Sequence, residues 1–390
     1  MPTLDRRTVA LVAATAANFG AVLVGLWAIS RFSNGDDQVA LLNLWATWGI
    51  ALGLIGQFGL ISGVLDRRSW SSTRNVAWAF GCGSASLVVL LPLDDHLFAG
   101  RGSWTFIAAV MAGALYLLGR QRGALSIRQR GLSAVVVTAA ENILRVAFLT
   151  GVLLIDRPAL GSIAIVAPMA LSFVGFAWLA QGGLELESAA LTETRSIAVS
   201  LLAGVPAVLA YGVVPILTVL GNVDQLDVVA FAATLLRGPL IVAAFLAPWF
   251  LQRNTELSAK WRRGIIVAAA LSVIGHVGFV AVPGIGDTPA LLLAACAAAC
   301  TAAAAYLLVI LSPRAISGKT ALTAAAVAVV TWTATSVVLR DGPNDRAFFG
   351  VAFASLAIVA IVQVASRSVQ PSAAILSIGS TTGLISEDAA

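Results

Sequence analysis

Three ionisable residues lie deep inside long apolar runs of this sequence: Glu141, Arg145 and Arg237. A charge carried into hydrocarbon costs several kcal/mol or more, so such residues pair with one another or mark a pathway. Glu141 and Arg145 are four residues apart, which puts both on one face of a helix and within pairing reach. Counted from a span start near Ser133, they lie about 12 and 18 Å deep; counted from Val228 on the opposite side, Arg237 lies about 14 Å deep. Arg145 and Arg237 are therefore expected near the midplane. A guanidinium suits phosphate oxygens because its planar fork grips two of them and it does not lose its charge. One reading is a cationic cavity between two halves that binds an anionic headgroup such as a pyrophosphate. Glu141 would then couple a proton or hold Arg145 while the cavity is empty. The opposing reading makes Glu141–Arg145 a neutralised structural pair and bonds Arg237 to neighbouring carbonyls. The cavity reading fails if these side chains are sealed against other helices.

Other polar groups are candidates of lower specificity. Asn18 and Gln57 are neutral groups inside spans, suited to interhelical hydrogen bonds or to substrate contact. Pro206 and Pro215 flank Tyr211 in the seventh run and make it the candidate gating element, since each proline frees a carbonyl and bends a helix. Asp94-Asp95-His96 offers acid/base or metal donors, with solvated charge as the plainer reading. Cys296 and Cys300 are one turn apart without a His or carboxylate beside them, so neither a metal site nor a cofactor is expected.

The elements that must position these residues follow from composition. Of 390 residues, 59% are hydrophobic and 11% charged, with mean hydropathy +0.93. A soluble domain has no way to bury that much apolar surface, whereas a bilayer solvates it. Twelve runs, at 8–30, 38–65, 76–93, 103–119, 133–155, 160–182, 197–220, 228–251, 264–283, 288–312, 320–339 and 347–366, are each of a length to cross about 30 Å of hydrocarbon. They lack the two-residue alternation of barrel strands, and helices satisfy every backbone amide internally. The stretch from Thr8 to Ser30 is too long for the apolar core of a signal peptide and reads as a retained first span.

Lysine and arginine fix the expected orientation. Seventeen lie on the side of the N-terminus and five on the other, with Arg145 and Arg237 completing the 24. Basic residues stay in the cytoplasm, which predicts a cell-membrane protein with both termini inside. The net charge of +5 is thereby explained by topology, and no nucleic-acid partner is expected. The stretch Arg120-Gln121-Arg122 to Arg128-Gln129-Arg130 is expected at the cytoplasmic interface against anionic lipids. The fold class is all-α, a polytopic bundle of about twelve helices in two six-helix lobes. Residues 1–182 form the first lobe, 183–196 a cytoplasmic linker, 197–366 the second lobe, and 367–390 a disordered cytoplasmic tail. A weak repeat at a shift of 190 residues, Val39-Ala40-Leu41 against Val229-Ala230-Phe231, supports two halves of equal polarity.

Several stretches carry a family resemblance: Ala28-Ile29-Ser30-Arg31, Gly35-Asp36-Asp37-Gln38, Gly56-Gln57-Phe58-Gly59-Leu60, and Leu65-Asp66-Arg67-Arg68. So do Arg130-Gly131-Leu132, Glu141-Asn142-Ile143-Leu144-Arg145, and the turn from Gly221-Asn222-Val223 to Leu236-Arg237-Gly238-Pro239. Together they resemble the polysaccharide-export and O-antigen flippases of the multidrug/oligosaccharidyl-lipid/polysaccharide transporter superfamily. The charge often found within helix 7 of those families is replaced here by Tyr211-Gly212-Val213-Val214-Pro215. What the resemblance implies is alternating access that carries a polyprenyl-diphosphate-linked glycan outward, not enzymatic catalysis. Its implied partners are membrane lipids and the glycosyltransferases or polymerase of the same pathway. The alternatives are a drug or small-molecule exporter of the same architecture and a membrane-embedded glycosyl- or acyltransferase.

Overall fold

The structure, a computed structural model, describes residues 6–65, 73–127, 131–180, 193–221, 226–236, 239–240, 259–280, 287–312, 316–338 and 346–369. Helix α1 is Arg6–Phe32, and α2 (Gly35–Ala51) passes through one π turn, Leu52–Gly56, into α3 (Gln57–Leu65). Next come α4 (Thr73–Leu90), the short α5 (Asp94–Phe98), α6 (Gly102–Ile127) and α7 (Gly131–Leu154). The sixth span is split into α8 (Gly161–Val166) and α9 (Met169–Ala180). The second half holds α10 (Glu193–Val219), α11 (Leu226–Leu235), α12 (Ala259–Val280), α13 (Asp287–Leu311), α14 (Gly318–Val338) and α15 (Arg346–Val369).

Ten stretches among the described residues are long and apolar enough to cross a membrane. Of the other two runs, the eighth is described over α11 and the ninth is the 22-residue α12. The protein is an all-α polytopic membrane protein. Its outward faces carry Phe80, Val88, Trp178 and Val330, all exposed, as lipid contact requires.

Helices in a bilayer gain little from apolar burial against one another, because lipid tails are equally apolar. Close packing takes over. The clearest case is α3 on α6. A Cβ at Gly59 would run into the Tyr116 carbonyl, one at Gly63 into that of Arg120, and one at Gly119 into that of Gly56. Glycines on both helices thus bring backbone against backbone. In the first half α1 also packs on α7, and α4 on α6; in the second, α13 and α14 pack on α15, and α12 on α13. Helix α10 belongs to the second half yet also packs along α2, the π turn and α3. This contact, together with α11 against α1 and α2, is where the N-terminal and C-terminal helices meet, the seam between them.

Three expectations change. The fourth span was read as ending at residue 119 because arginines follow, but α6 continues to Ile127 and buries Arg120 and Gln121. Those two residues do not sit on a lipid-facing surface, and residues 128–130 lie outside the described residues. The expected linker loses its last four residues to α10, which starts at Glu193, and the expected tail its first three to α15. Residues 181–192 and 370–390 lie outside the described residues.

Candidate functional site

The deepest polar cluster forms around Arg145, whose side chain is 0% exposed. Three spans build it. Residues 141, 142 and 145 fall on adjoining faces of α7, α1 supplies Asn18, and the sixth span is interrupted at Ala167–Pro168 between α8 and α9. Near that interruption the Ile165 carbonyl accepts a hydrogen bond from Arg145 Nε at 2.7 Å. Arg145 also donates from Nη1 to Asn142 and from Nη2 to Glu141. Ser172 donates to the second carboxylate oxygen of Glu141, and Asn142 donates to Asn18. The guanidinium carbon lies 4.4 Å from the centroid of the Trp48 ring, a cation–π contact from the seam-forming span.

A charge-assisted pair with both carboxylate oxygens engaged is the arrangement that survives burial. Every guanidinium nitrogen of Arg145 donates within the cluster, and its face is covered. Three of its five N–H groups are engaged there and the side chain is fully buried, which leaves no open approach for a phosphate in this conformation. Arg145 is sealed against other helices, the condition under which the shared-cavity reading loses this residue. Arg237, the other half of that reading, lies outside the described residues. A second cation faces the same interior: Arg122 of α6 lies 5.9 Å from the centroid of Phe176 and interacts electrostatically with Glu141 and Arg145.

The remaining expected residues are divided between this cluster and other parts of the fold. Asn18 joins the Arg145 cluster as a hydrogen-bond acceptor. Gln57 is at the seam, where its Oε1 accepts from the Tyr306 hydroxyl of α13 at 3.0 Å. Pro206 and Pro215 sit within α10, which continues as one helix through both. Nearer the Gly35 end of the seam, Asn43 Nδ2 donates to Thr218 Oγ1 at 3.1 Å, while Thr218 donates to the Val214 carbonyl at 3.0 Å. Between these two polar links the surfaces are small and apolar. A Cβ at Gly53 would collide with that of Ala207, and one at Gly204 would lie 2.6 Å from Leu54 Cδ1. Asp94, Asp95 and His96 form the start of α5, where Asp94 accepts from Thr105, so the first carboxylate is engaged structurally.

Sequence reasoning missed Asn142, Ser172 and Trp48 in the cluster, and Asn43, Thr218 and Tyr306 at the seam. Asn142 had a signal, since it stands between two residues already singled out. The others are polar or aromatic groups in apolar spans, the same class of signal that selected Asn18 and Gln57.

No protein-family profile and no curated relative matches the chain by sequence. Solved structures do match by shape. The eukaryotic MATE transporter AtDTX14 superposes with a TM-score of 0.55 at 12% identity, over 92% of this chain and 96% of that one. A MATE in the straight conformation gives 0.53 at 11% identity, over 92% and 95%. The inward-facing conformation of a multidrug resistance MATE family transporter of the MOP superfamily gives 0.52 at 11%, over 96% and 99%. The fold of this chain is therefore that of the solved MATE transporters.

Proposed function

We propose that the chain is a multi-pass membrane transporter that moves small organic solutes by alternating access, its two halves rocking about the seam between α2–α3 and α10. The seam carries this reading. It joins the halves through close-set small side chains and through neutral hydrogen bonds such as Gln57–Tyr306 and Asn43–Thr218. Contacts of this kind are weak enough to break and re-form, whereas the Arg145 cluster holds the first half rigid. MATE transporters of this fold have been captured in straight and inward-facing conformations, which fits such a rocking motion.

Arg120 and Arg122, near one end of their span, are matched in number by Asp94 and Asp95 near one end of theirs, and Arg145 is paired with Glu141. A balance of this kind selects no sign of charge in the solute. Outward flipping of a lipid-linked saccharide is the finer reading drawn from the sequence. It asked for Arg145 to hold a phosphate, and that guanidinium is engaged by Glu141, Asn142 and Ile165. The solute exporter is therefore the better supported of the two. By the distribution of Lys and Arg, both termini face the cytoplasm in a cell membrane.

The test is transport by purified protein in liposomes, under imposed proton and sodium gradients, with anionic, neutral and cationic fluorescent solutes. Gradient-dependent movement of at least one of these solutes is expected. Movement of none of them, together with flipping of a short-chain lipid diphosphate saccharide, would replace this reading by the flippase.

A further inference from the structure

We infer that the segment Asp94–Arg101 is a plug that closes the Asp37 end of the seam, and that the Arg101–Asp37 ion pair is its latch. The proposal rests on the alternating-access reading above. Helix α5 is only five residues long, yet it buries Leu97 and Phe98 completely and packs on α2, on α6 and, across the seam, on α10 of the other half. A short helix between two spans has no need to reach the opposite half merely to connect them.

The segment is held in one shape. Ala99 and Gly100 both take left-handed backbone angles, φ 54° and 72°, to turn the chain sharply after Phe98. An alanine adopts that conformation only where its surroundings impose it. The Gly100 amide donates to the Asp94 carbonyl at 3.3 Å, and the Arg101 amide to that of Phe98 at 3.2 Å. Thr105 donates to the Asp94 carboxylate. Arg101 then spans from this turn to Asp37 in the first turn of α2, with its guanidinium carbon 4.8 Å from the centroid of Trp104. Asn43, six residues further along α2, makes the polar link to Thr218. Plug, latch and link thus occupy successive levels at one end of the same seam.

The pair is partly exposed, so its loss should shift the closed population by a modest factor, about 1.5- to fivefold. The experiment uses the full chain in membranes with Cys82, Cys296 and Cys300 replaced by alanine and Thr218→Cys as the reporter. A membrane-impermeant thiol reagent is applied in turn to each face. Arg101→Ala is expected to raise the rate of reaction at the reporter about 1.5- to fivefold from one face only. The charge exchange Asp37→Arg with Arg101→Asp is expected to restore the slow rate, and Phe98→Ala to raise it by removing the plug itself. An unchanged rate in Arg101→Ala, an equal rise from both faces, or failure of the exchange to restore protection would each overturn the latch. If Arg101→Ala does not reach the membrane, Asp37→Asn reads the same equilibrium. Protection that behaves as described in a protein that moves no solute in liposomes would remove the transport reading and leave the plug. Normal transport with unchanged protection would do the reverse.

Discussion

Replacing Arg145 by alanine tests the central packing argument, because this residue serves three buried acceptors at once. Its loss takes from Glu141 the guanidinium that donates to it and leaves Asn142 Oδ1 and the Ile165 carbonyl without that donor. Glu141 keeps Ser172 and the electrostatic attraction of Arg122. Removing one member of a buried pair costs about 3–5 kcal/mol, because the survivor stays charged in an apolar site. Glu141→Gln should be milder, since the carboxamide oxygen can still accept from Arg145. Arg145→Met with Glu141→Gln removes both charges and fills the volume, so the double variant should recover part of the loss, with a coupling of about 2 kcal/mol. Reversible unfolding in mixed micelles titrated with denaturing detergent gives these free energies directly. Arg145→Ala within about 1 kcal/mol of the parent, or strict additivity in the double variant, would refute the reasoning. Either outcome would return Arg145 to the groups available for a ligand.

Tyr306→Phe removes the seam hydrogen bond to Gln57 while leaving the ring. Interhelical hydrogen bonds in membranes contribute about 0.6–1.7 kcal/mol, so spin-label distances across the seam should shift by about three- to fifteenfold in population; identical distributions would deny the bond a role in closure. Gly59→Ala drives a methyl into the Tyr116 carbonyl and should lose about 1–3 kcal/mol in the same unfolding assay. Gly20→Ala, with open space around it, should lose nothing. Orientation is read by cysteine labelling: Ser33→Cys should react with an impermeant reagent from outside intact cells, and Ser317→Cys only after the membrane is opened.

Much of the fold was legible because a bilayer imposes a simple rule. Apolar runs of span length become helices, and the spacing of Arg and Lys between them sets the count. The rule failed where charge lies inside a helix. Arg120 and Arg122 look like the end of a span, but α6 carries them two further turns, burying Arg120 and setting Arg122 against Phe176. The π turn at Leu52–Gly56 leaves no mark in Leu-Gly-Leu-Ile-Gly, since apolar residues suit either helical geometry. Within the site, the i,i+4 spacing disclosed Glu141–Arg145 and nothing else. Ser172, Trp48 and the Ile165 carbonyl reach the pair from other spans, and sequence periodicity carries no information about which helix lies opposite. Tyr306 was hidden for the same reason, being one aromatic in the alanine-rich α13.

The distribution of strong and weak interactions decides where this molecule moves. Within the first half, a buried ion pair with every acceptor engaged ties α7 to α1 and to the sixth span, and backbone-to-backbone packing ties α3 to α6. Opening either would strand a charge or a carbonyl in hydrocarbon, at a cost of several kcal/mol. Across the seam, separation breaks neutral hydrogen bonds such as Asn43–Thr218 and Gln57–Tyr306 and parts small side chains, and water or solute entering the gap can re-satisfy the groups released. The cheapest large displacement is therefore a hinge between the halves, with each half moving as a body. A transporter that exposes a solute first to one side and then to the other requires that ranking of costs. Reversing it, by fastening α2 to α10 with a disulfide between Asn43→Cys and Thr218→Cys, should abolish solute movement until the bond is reduced, and transport that continues through the intact crosslink would place the moving boundary somewhere else in the bundle.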